Sequence, residues 1–474
     1  MRGGGSEALD SLKFQVVRSK DNWTKRPRPY FSPREGVSMK FKFLRLLGVM
    51  FAFALVAAAC GGSDDDSSSD SSSASSSAED HDSLGDGSLG TVTVEAGDDI
   101  QIRSLNAITG EVAFLGLPNQ RGVEQAIADF GDIHGFSVSI GTGLDDLCSA
   151  DGGQAAAQTI VADEQVVGVI GTSCSGAATA ASPLISAANM VMISPSNTSP
   201  DLTSDLAGTA GKDYHAGYYR TAHNDLFQGA AMAKFVYEEL NITEAAAIHD
   251  GDPYTQGLAQ AFSNAFENLG GTMTGFTAVN KEDADMVPVL TEIAAGSPGA
   301  LFFPIFQPAG DFVADQAPGV SGLEDVVLLG ADGLQVQSFM ELPQANGMYI
   351  SGPDVRYGSN TNQSTGVDAE KFLADYEANN GNAPEASFWA HSYDAATILL
   401  EAIKAASHMH DGDLEIDRAG VREYLDNLSG YEGIIGTLSC DEFGDCGAQR
   451  ITVIQNSSDD YSGSMDNVVY EYAP

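Results

Sequence analysis

Residues 166–200 read VVGVIGTSCSGAATAASPLISAANMVMISPSNTSP, and this stretch carries most of the information about the fold. Two apolar runs, 166–171 and 190–194, flank a segment of small and apolar residues at 177–188 that is long enough for a helix. Continuous apolar runs of this length are typical of strands buried on both faces, and a helix between two such strands forms a parallel β–α–β crossover. The stretch therefore predicts a parallel sheet that helices cover on both sides.

The same alternation of strands and helices extends outward from this stretch in both directions. The sequence predicts further strands at 102–108, 136–140, 245–249, 272–278, 300–305, 326–330, 348–350, 451–455 and 468–472. It predicts further helices at 116–130, 154–162, 226–240, 256–268, 284–294, 368–379, 386–406 and 418–427. Because the pattern restarts after Asp225, we expect an α/β protein with two doubly wound parallel-sheet lobes, joined by a hinge and separated by a cleft.

The layout of an export signal lies upstream, at residues 39–60, MKFKFLRLLGVMFAFALVAAAC. Basic residues are followed by an apolar run from Leu46 to Val56, which is too short to span a bilayer, and then by small residues that end in Cys60. The last six residues, LVAAAC, resemble a bacterial lipobox, in which the cysteine carries the lipid. We therefore expect lipidation of Cys60, in preference to the alternative of a plain transmembrane anchor.

The segments on either side of this signal are polar. Residues 61–92 are rich in Ser and Asp and have too few apolar side chains to form a core, so we expect a disordered tether. Residues 1–38 lack periodicity, and we expect them to be an extension upstream of a native start at Met39. These features predict an exported protein, anchored by lipid on the outer face of the cytoplasmic membrane or in the periplasm.

Composition and motifs disfavour several classes of function. The formal net charge of −43 argues against nucleic acid as a partner, because its phosphates would be repelled. Residues 171–175 miss the G-x-S-x-G motif of hydrolases, 141–143 lack the third glycine of a dinucleotide loop, and no P-loop lysine motif occurs. Residues 408–411, HMHD, are of types that bind metal ions, but a solvated helix end is the more ordinary explanation. We therefore expect a protein that is not an enzyme and that holds neither a metal nor a cofactor.

The chain has five cysteines, and four remain if Cys60 carries lipid. An even number of cysteines in an exported protein indicates disulfides. Cys440 and Cys446 lie in one short segment and are expected to close a local loop, which leaves Cys148 to pair with Cys174. A zinc site built from the four thiolates is the alternative, although the sequence has no C-x-x-C pair.

Polar residues follow three of the predicted strands, at the ends where open α/β sheets bind their ligands. Ser175 lies where a helix begins, so its hydroxyl and the free N–H groups of the helix are suited to hold a carboxylate. Residues 193–200 follow the next strand and offer hydroxyl and carbonyl groups, and Asp332 follows an apolar strand and suits an ammonium group. Each also has an ordinary structural explanation, as a helix cap, a turn-rich loop and a turn or cap respectively.

Six motifs lie within residues 101–406: LNAITGEVAFLGLPNQRGVEQAIADF, VVGVIGTSCSGAATAASPLISAANMVMISPSNTSPDLT, HDGDPYTQGLAQAF, LLGADG, MYISGPDVRY and SFWAHSYDAATILLEAI. Through them the sequence resembles the leucine/isoleucine/valine-binding protein family of type I periplasmic binding proteins. The resemblance implies the type I periplasmic binding fold. It also implies the composition of the lobes: 97–224 plus 355–434 for lobe 1, and 225–354 plus 435–474 for lobe 2.

By the same resemblance, the site would hold an amino acid by its two charged groups. Ser175 and Thr198 would hold the α-carboxylate, and the Ser196 carbonyl and Thr198 would contact the ammonium group. Tyr254 would close on the ligand from the second lobe. Asp332 would neutralise the ammonium.

Two departures from the family leave the side chain of the ligand open. The family commonly has Glu in place of Asp332, which is one methylene shorter, and often Tyr in place of Phe306. Phe114 or Leu115 would contact the side-chain end of the ligand. The resemblance implies a monomer that binds an amino acid, branched-chain or similar, by hinge closure and delivers it to the permease and ATPase subunits of an ABC importer. An amide or another small polar solute is an alternative ligand, and a ligand-sensing subunit of a surface receptor is an alternative role.

Overall fold

The computed structural model describes residues 83–457 and 460–473. Four sequence predictions lie outside the described residues: the upstream extension 1–38, the export signal 39–60, its lipidation site Cys60, and the part of the tether at 61–82. Within the described part of the chain, no helix is both long and apolar enough to cross a membrane.

The described chain alternates strands and helices throughout. The strands are β1 (Thr91–Val94), β2 (Ile100–Asn106), β3 (Val138–Ser139), β4 (Leu144–Asp145), β5 (Val166–Gly171), β6 (Val191–Ser194), β7 (Tyr218–Arg220), β8 (Glu244–His249), β9 (Thr272–Ala278), β10 (Ala300–Phe302), β11 (Val327–Gly330), β12 (Tyr349–Pro353), β13 (Ser407–His410), β14 (Asp413–Asp417), β15 (Tyr431–Gly433), β16 (Gly436–Leu438), β17 (Ile451–Gln455) and β18 (Val468–Tyr472). The helices are α1 (Ala113–Phe130), α2 (Ala150–Val161), α3 (Ser175–Ala187), α4 (Asp225–Lys234), α5 (Pro253–Asn268), α6 (Val287–Ala294), α7 (Ala309–Gln316), α8 (Gln337–Met340), α9 (Ala369–Asn380), α10 (Trp389–Ala405), α11 (Arg418–Asp426) and α12 (Tyr461–Asp466).

The first lobe is built on a parallel sheet in the order β3-β2-β5-β6-β7, with β4 also paired to β2. Helices α1 and α10 pack on one face, and α2 and α3 pack on the other. All six residues of β5 are buried, because both faces of this central strand are covered. The apolar run that predicted this strand therefore reflects its position at the centre of the sheet.

The second lobe is built on a seven-stranded sheet in the order β18-β17-β12-β11-β10-β8-β9. The strands from β9 to β12 are parallel, whereas β17 and β18 are antiparallel and complete one edge. In β8, Ala245 and Ala247 pack with helices α4 and α5, while Ala246 and Ile248 pack with α6 and α7. This alternation places an apolar core on each face and confirms the predicted two-lobed α/β fold.

The structure differs from the prediction at two boundaries: where the chain returns to lobe 2, and where the tether ends. Lobe 2 was expected to resume at residue 435, but β16, Leu438 and Cys446 pack with the core of the first lobe. Backbone hydrogen bonds to Arg220 hold this segment there: Arg220 N donates to Gly444 O at 2.9 Å, and Cys446 N donates to Arg220 O at 3.0 Å. The chain therefore returns to the second lobe only after Cys446.

The described end of the predicted tether, residues 83–92, is part of the folded protein. Leu84 N donates to Ala405 O at 2.9 Å, and β1 pairs antiparallel with β14. Val92 and Val94 alternate with exposed residues and are buried, which is the pattern of a strand with one face on a core. The serine content of the preceding segment hid this short strand from the composition-based prediction.

Both predicted disulfides are confirmed: Cys148 pairs with Cys174, and Cys440 pairs with Cys446. The zinc alternative is therefore wrong. Residues 408–410 lie in strand β13, which forms a hairpin with β14, so they are not a solvated helix end. Among the described residues, no group of His, Cys, Asp and Glu side chains is arranged to hold a metal ion.

Candidate functional site

A narrow cavity lies between the lobes, beyond the carboxyl ends of β5, β6, β10 and β11. It encloses about 10 Å³, which is close to the space that one water molecule needs. The residues that line it are Phe114, Leu115, Ser173, Cys174, Ser175, Ser196, Tyr254, Phe306, Asp332 and Gly333. An amino acid is several times larger than this space, so the two lobes must separate to admit one.

The structure brings together six of the seven ligand-binding residues that the sequence suggested: Leu115, Ser175, Ser196, Tyr254, Phe306 and Asp332. Thr198 is the seventh, and it is fully buried but does not line the cavity. Its carbonyl accepts from Asp225 N at 2.9 Å, and its hydroxyl faces the Asp225 carboxylate. Thr198 therefore lies behind the cavity wall, against Asp225.

The first-lobe wall is formed by hydroxyl groups at the ends of two adjacent strands. Ser175 is the first residue of α3, and its hydroxyl accepts from Ser199 N at 3.3 Å instead of capping the helix, because Cys174 occupies the N-cap. The Ser196 hydroxyl donates to Ser173 O at 3.0 Å and accepts from Asn119 Nδ2 at 3.1 Å. These bonds fix both hydroxyls at the cavity wall.

The second-lobe wall is acidic. Asp332 follows β11 and is 9% exposed, and its carboxylate accepts from Tyr254 Oη at 3.0 Å and from Gln228 Nε2 at 2.8 Å. Tyr254 Oη in turn accepts from Gly333 N at 3.1 Å. Burial raises the pKa of Asp332 to about 6, and the hydrogen bonds from Gln228 and Tyr254 limit the rise. Asp332 is therefore positioned as an anion that a cation in the cavity would stabilise.

Gln228 connects Asp332 to two chain crossings between the lobes. Its Nε2 also donates to Ser351 O and Ser351 Oγ, each at 3.1 Å, and Ser351 lies in β12 just before the second crossing. Its Oε1 lies 2.5 Å from Nε2 of His223, which is in the first crossing, and because an amide oxygen only accepts, the histidine donates. The carboxylate at the cavity is thus held against the hinge.

Comparison with known proteins agrees with this geometry. Residues 99–455 match the family described as periplasmic binding protein. The chain belongs to that family. It is 26% identical over 363 residues to the Leu/Ile/Val-binding protein homolog 3 of Brucella melitensis, covering 75% of this chain and 91% of the relative. It is 27% identical over 356 residues to the Leu/Ile/Val/Thr-binding protein of Salmonella typhimurium, covering 73% and 88%.

Among solved structures, this periplasmic binding protein is similar to a leucine-binding protein from Thermotoga maritima. The TM-score is 0.66 at 24% identity, and the alignment covers 79% of this chain and 99% of the other. At that level of identity the likeness establishes the fold. Any statement about the ligand therefore rests on the contacts described above.

One further side chain of this periplasmic binding protein crosses between the lobes. Asp252 is the N-cap of α5 and accepts from Tyr254 N at 2.9 Å, and its other oxygen lies 2.3 Å from where a Cβ on Gly176 of α3 would be. Burial raises the pKa of Asp252 to about 6, opposed mainly by the N–H of Tyr254. A carboxylate is stabilised at the positive end of a helix, so this contact favours the closed arrangement of the lobes.

A larger cavity of about 570 Å³ adjoins the narrow one, and Phe306 lines both. Thr109–Val112 and the Cys148 loop form one side of it, and Asp250, Lys281 and Phe312 lie on the other. Its position places it next to the apolar end of the narrow cavity. A side chain that extends past Phe306 would project into this space.

Sequence reasoning missed Gln228 and Asp252. Asp252 precedes Pro253, and Asp before Pro is a usual helix start, so the sequence identifies it as a cap but not as a contact between lobes. Gln228 lies in a helix where glutamine is commonly exposed, and no local pattern marks it as buried.

Proposed function

We propose that this protein is the extracytoplasmic solute-binding component of an ABC importer and that it binds an α-amino acid by closure of its two lobes. The supporting observation is the composition of the narrow cavity, which has the hydroxyls of Ser175 and Ser196 on one lobe and Tyr254 and Asp332 on the other. A zwitterion needs opposite electrostatic environments at its two ends, and these two walls supply them.

Each wall of the cavity has a distinct chemical role in this proposal. The Ser175 hydroxyl and the N-terminus of α3 take the carboxylate, with help from the Thr198 hydroxyl. Asp332 and the Ser196 carbonyl take the ammonium group. Leu115 and Phe306 provide apolar surface for an aliphatic side chain. None of these roles requires a nucleophile or a general base, so we propose a binding protein without catalytic activity.

A calorimetric panel tests the ligand class. L-amino acids, their amides, and carboxylic acids of the same side chain without the amine would be titrated into the purified protein. We expect an amino acid with an aliphatic side chain to bind most tightly, and its amide and its deaminated acid to bind at least about tenfold more weakly. If an amide bound tightly and no amino acid bound, the ligand class would be an amide and the proposed class would be wrong.

The Asp332→Asn variant tests the role of the acidic wall. It keeps the shape of the side chain and its bond to Tyr254 but removes the charge, so amino acid affinity should fall on the order of a hundredfold. The exposed Asp375→Asn variant is the matched control. Unchanged affinity in Asp332→Asn would mean that a residue other than Asp332 pairs with the ammonium group.

We further propose that Cys60 carries a lipid and that the mature chain begins there, as a monomer that delivers its ligand to the permease and ATPase subunits. Cells that express the wild type and the Cys60→Ser variant would be labelled with a radioactive fatty acid. We expect the label on the wild type alone and the variant in the soluble exported fraction. Label on both proteins would exclude this anchor.

A further inference from the structure

His223, in the first chain crossing between the lobes, is a fully buried imidazole beside Gln228. Its side chain is 0% exposed, its Nε2 lies 2.5 Å from Gln228 Oε1, and its Nδ1 has no hydrogen-bond partner among the described residues. Burial lowers the pKa of His223 to about 4, so the ring is neutral at pH 7 and carries a single N–H. Which nitrogen carries that proton decides what His223 does for its neighbours.

The other neighbours of the Gln228 amide decide the position of this proton. Gln228 Nε2 lies 2.8 Å from Asp332 Oδ1 and 3.1 Å from Ser351 O. A carboxylate and a carbonyl only accept hydrogen bonds, so the amide NH₂ faces them and the amide oxygen faces His223. The imidazole proton is therefore on Nε2. With the proton on Nδ1, either two acceptors would meet at Gln228 Oε1, or the amide would reverse and turn its oxygen toward Asp332.

Packing holds the His223 ring in this orientation. Phe388 stacks on it, with ring centroids 6.2 Å apart and 22° between the planes, and Phe388 also packs against His391 at 5.1 Å. Burial, together with His223, lowers the pKa of His391 to about 3, so this second ring is neutral as well. Arg220 and Asp445 are the charged groups that act on His223, and they pair with each other. His223 is therefore a fixed donor and does not titrate near pH 7.

The hydrogen bond from Gln228 affects the charge of Asp332. Gln228, Tyr254 and the carboxylate of Asp225 face Asp332. Burial raises the pKa of Asp332 to about 6, and the bond from Gln228 opposes this rise more than the bond from Tyr254 does. Hydrogen bonds in a chain polarise one another, so a donor behind Gln228 strengthens the bond to Asp332. Two hydrogen bonds, from His223 through Gln228 to Asp332, thus connect the hinge to the cavity wall.

We propose that His223 is a positioning residue for the ammonium end of the ligand: its Nε2–H holds the Gln228 amide so that the amide N–H stabilises the Asp332 carboxylate. This inference rests on the proposed function for its effect on affinity, whereas the position of the proton can be measured without a ligand. His223 lies in the first crossing, and Ser351, which accepts from the same amide, lies just before the second. A hinge movement that separates His223 from Gln228 would therefore destabilise the Asp332 anion and loosen the amine.

Nitrogen NMR of the unliganded wild type, labelled with ¹⁵N at histidine, tests the position of the proton. The chain has eight histidines, and the signals of His223 are identified by their loss in His223→Gln. We expect an unprotonated Nδ1 and a protonated Nε2 at pH 7. An unprotonated Nε2 would overturn the proposal, whether or not any ligand binds.

Carbon NMR of the aspartate carboxyl groups tests the effect on Asp332. Its signal is identified by its loss in Asp332→Asn and is followed from pH 5 to pH 8 in the unliganded protein. In His223→Leu the Gln228 amide loses its donor and can reverse, so we expect the titration midpoint of Asp332 to rise by about one pH unit. His223→Gln supplies an amide N–H in place of the Nε2–H and should restore the wild-type midpoint.

His391→Leu is the matched control, because it removes a buried imidazole that packs on the same Phe388 ring and leaves the bond between His223 and Gln228 in place. It should leave the midpoint of Asp332 unchanged, even where it lowers the unfolding temperature. An equal shift in His391→Leu, or no shift in His223→Leu, would mean a structural role and would overturn the proposal. If His223→Leu does not fold, His223→Met takes its place.

Calorimetry with the tightest-binding L-amino acid connects His223 to the proposed function. At pH 7 the affinity should be about threefold to tenfold lower in His223→Leu than in the wild type, and His223→Gln should restore it. If the wild type binds and His223→Leu binds equally well, only this inference falls. If no amino acid binds the wild type while the midpoint of Asp332 shifts as expected, the proposed function and the effect on affinity fall, but the orienting role of His223 stands.

Discussion

Two buried polar clusters of this protein differ in how completely their groups are paired. In the first lobe, Asp394 accepts from two backbone N–H groups and from Asn362, and Arg220 pairs with Asp445. Beside the cleft, the Asp332 carboxylate accepts only from Tyr254 and Gln228, which both belong to the second lobe. The difference teaches that the paired cluster fixes the fold, while the cleft keeps acceptors that a ligand can use.

The largest effect is expected from breaking the paired cluster. Arg220→Met leaves Asp445 buried without its cation and removes the donors to Ser199 O and Thr203 Oγ1, so stability should fall by about 3–5 kcal/mol. Urea unfolding measures it. The control Lys371→Met, which breaks an exposed pair with Asp375, should cost no more than about 1 kcal/mol. Equal losses of unfolding free energy in the two variants would show that the paired cluster contributes no more to stability than an exposed ion pair.

The next effect concerns the disulfide that borders the cleft. Replacing both Cys148 and Cys174 by Ser frees the loop before α2 from the strand end that carries Ser175, and a bridge of this separation contributes about 3 kcal/mol. Amino acid affinity should fall as well, because Cys174 lines the cavity. The same change at Cys440 and Cys446, which spans 6 residues, is expected to leave affinity unchanged. A loss of affinity from the second pair alone would contradict this assignment.

A pH titration sharpens the description of the cleft. The ammonium requires ionised Asp332, whose pKa is raised to about 6 by burial, so amino acid affinity should be about tenfold lower at pH 5 than at pH 8. The groups that face Asp332 are Gln228, Tyr254 and Asp225, and burial also raises the pKa of Asp225. Calorimetry between these limits should show an inflection that Asp332→Asn lacks.

The unliganded protein should show the opposite trend in stability. The pKa of Asp332 in the folded state lies above its ordinary value of 3.8, so the folded state binds more protons than the unfolded chain between pH 4 and about 6. Stability contributed by this proton is present below that window and is lost as the pH rises through it. A stability that rises across the window because of Asp332 would contradict the burial of its charge.

The smallest effect is expected from crowding the contact between the lobes. Gly176→Ala places a Cβ 2.3 Å from Asp252 Oδ2, so the lobes cannot approach as closely and affinity should fall about fivefold to tenfold. The matched control is Gly319→Ala, whose added Cβ has nothing within 4 Å and should leave affinity unchanged. Small-angle scattering with the tightest-binding amino acid would show the wild type contracting further than Gly176→Ala. Full contraction of the variant would exclude Asp252 as part of the closed contact.

Much of the second lobe and of the cavity wall followed from local patterns. The strand ends that carry Ser175 and Asp332 were predictable because continuous apolar runs identify central strands of a parallel sheet, and ligands lie beyond their carboxyl ends. The hairpin of β13 and β14 was missed although β14 alternates polar and buried apolar residues, because β13 offers a single large apolar residue, Met409, and that residue is exposed. Strand β1 was hidden by the serine-rich segment before it.

The sequence by itself determined the α/β class and the wall residues that follow apolar strands, because each depends on a pattern within a few residues, and it predicted both disulfides from the even number of cysteines. Only the tertiary structure decided that Thr198 lies behind the cavity, that Gln228 joins Asp332 to the hinge, and that residues 435–446 stay with the first lobe. Hydrogen bonding of a buried group depends on which distant segments surround it, and no local pattern records those neighbours.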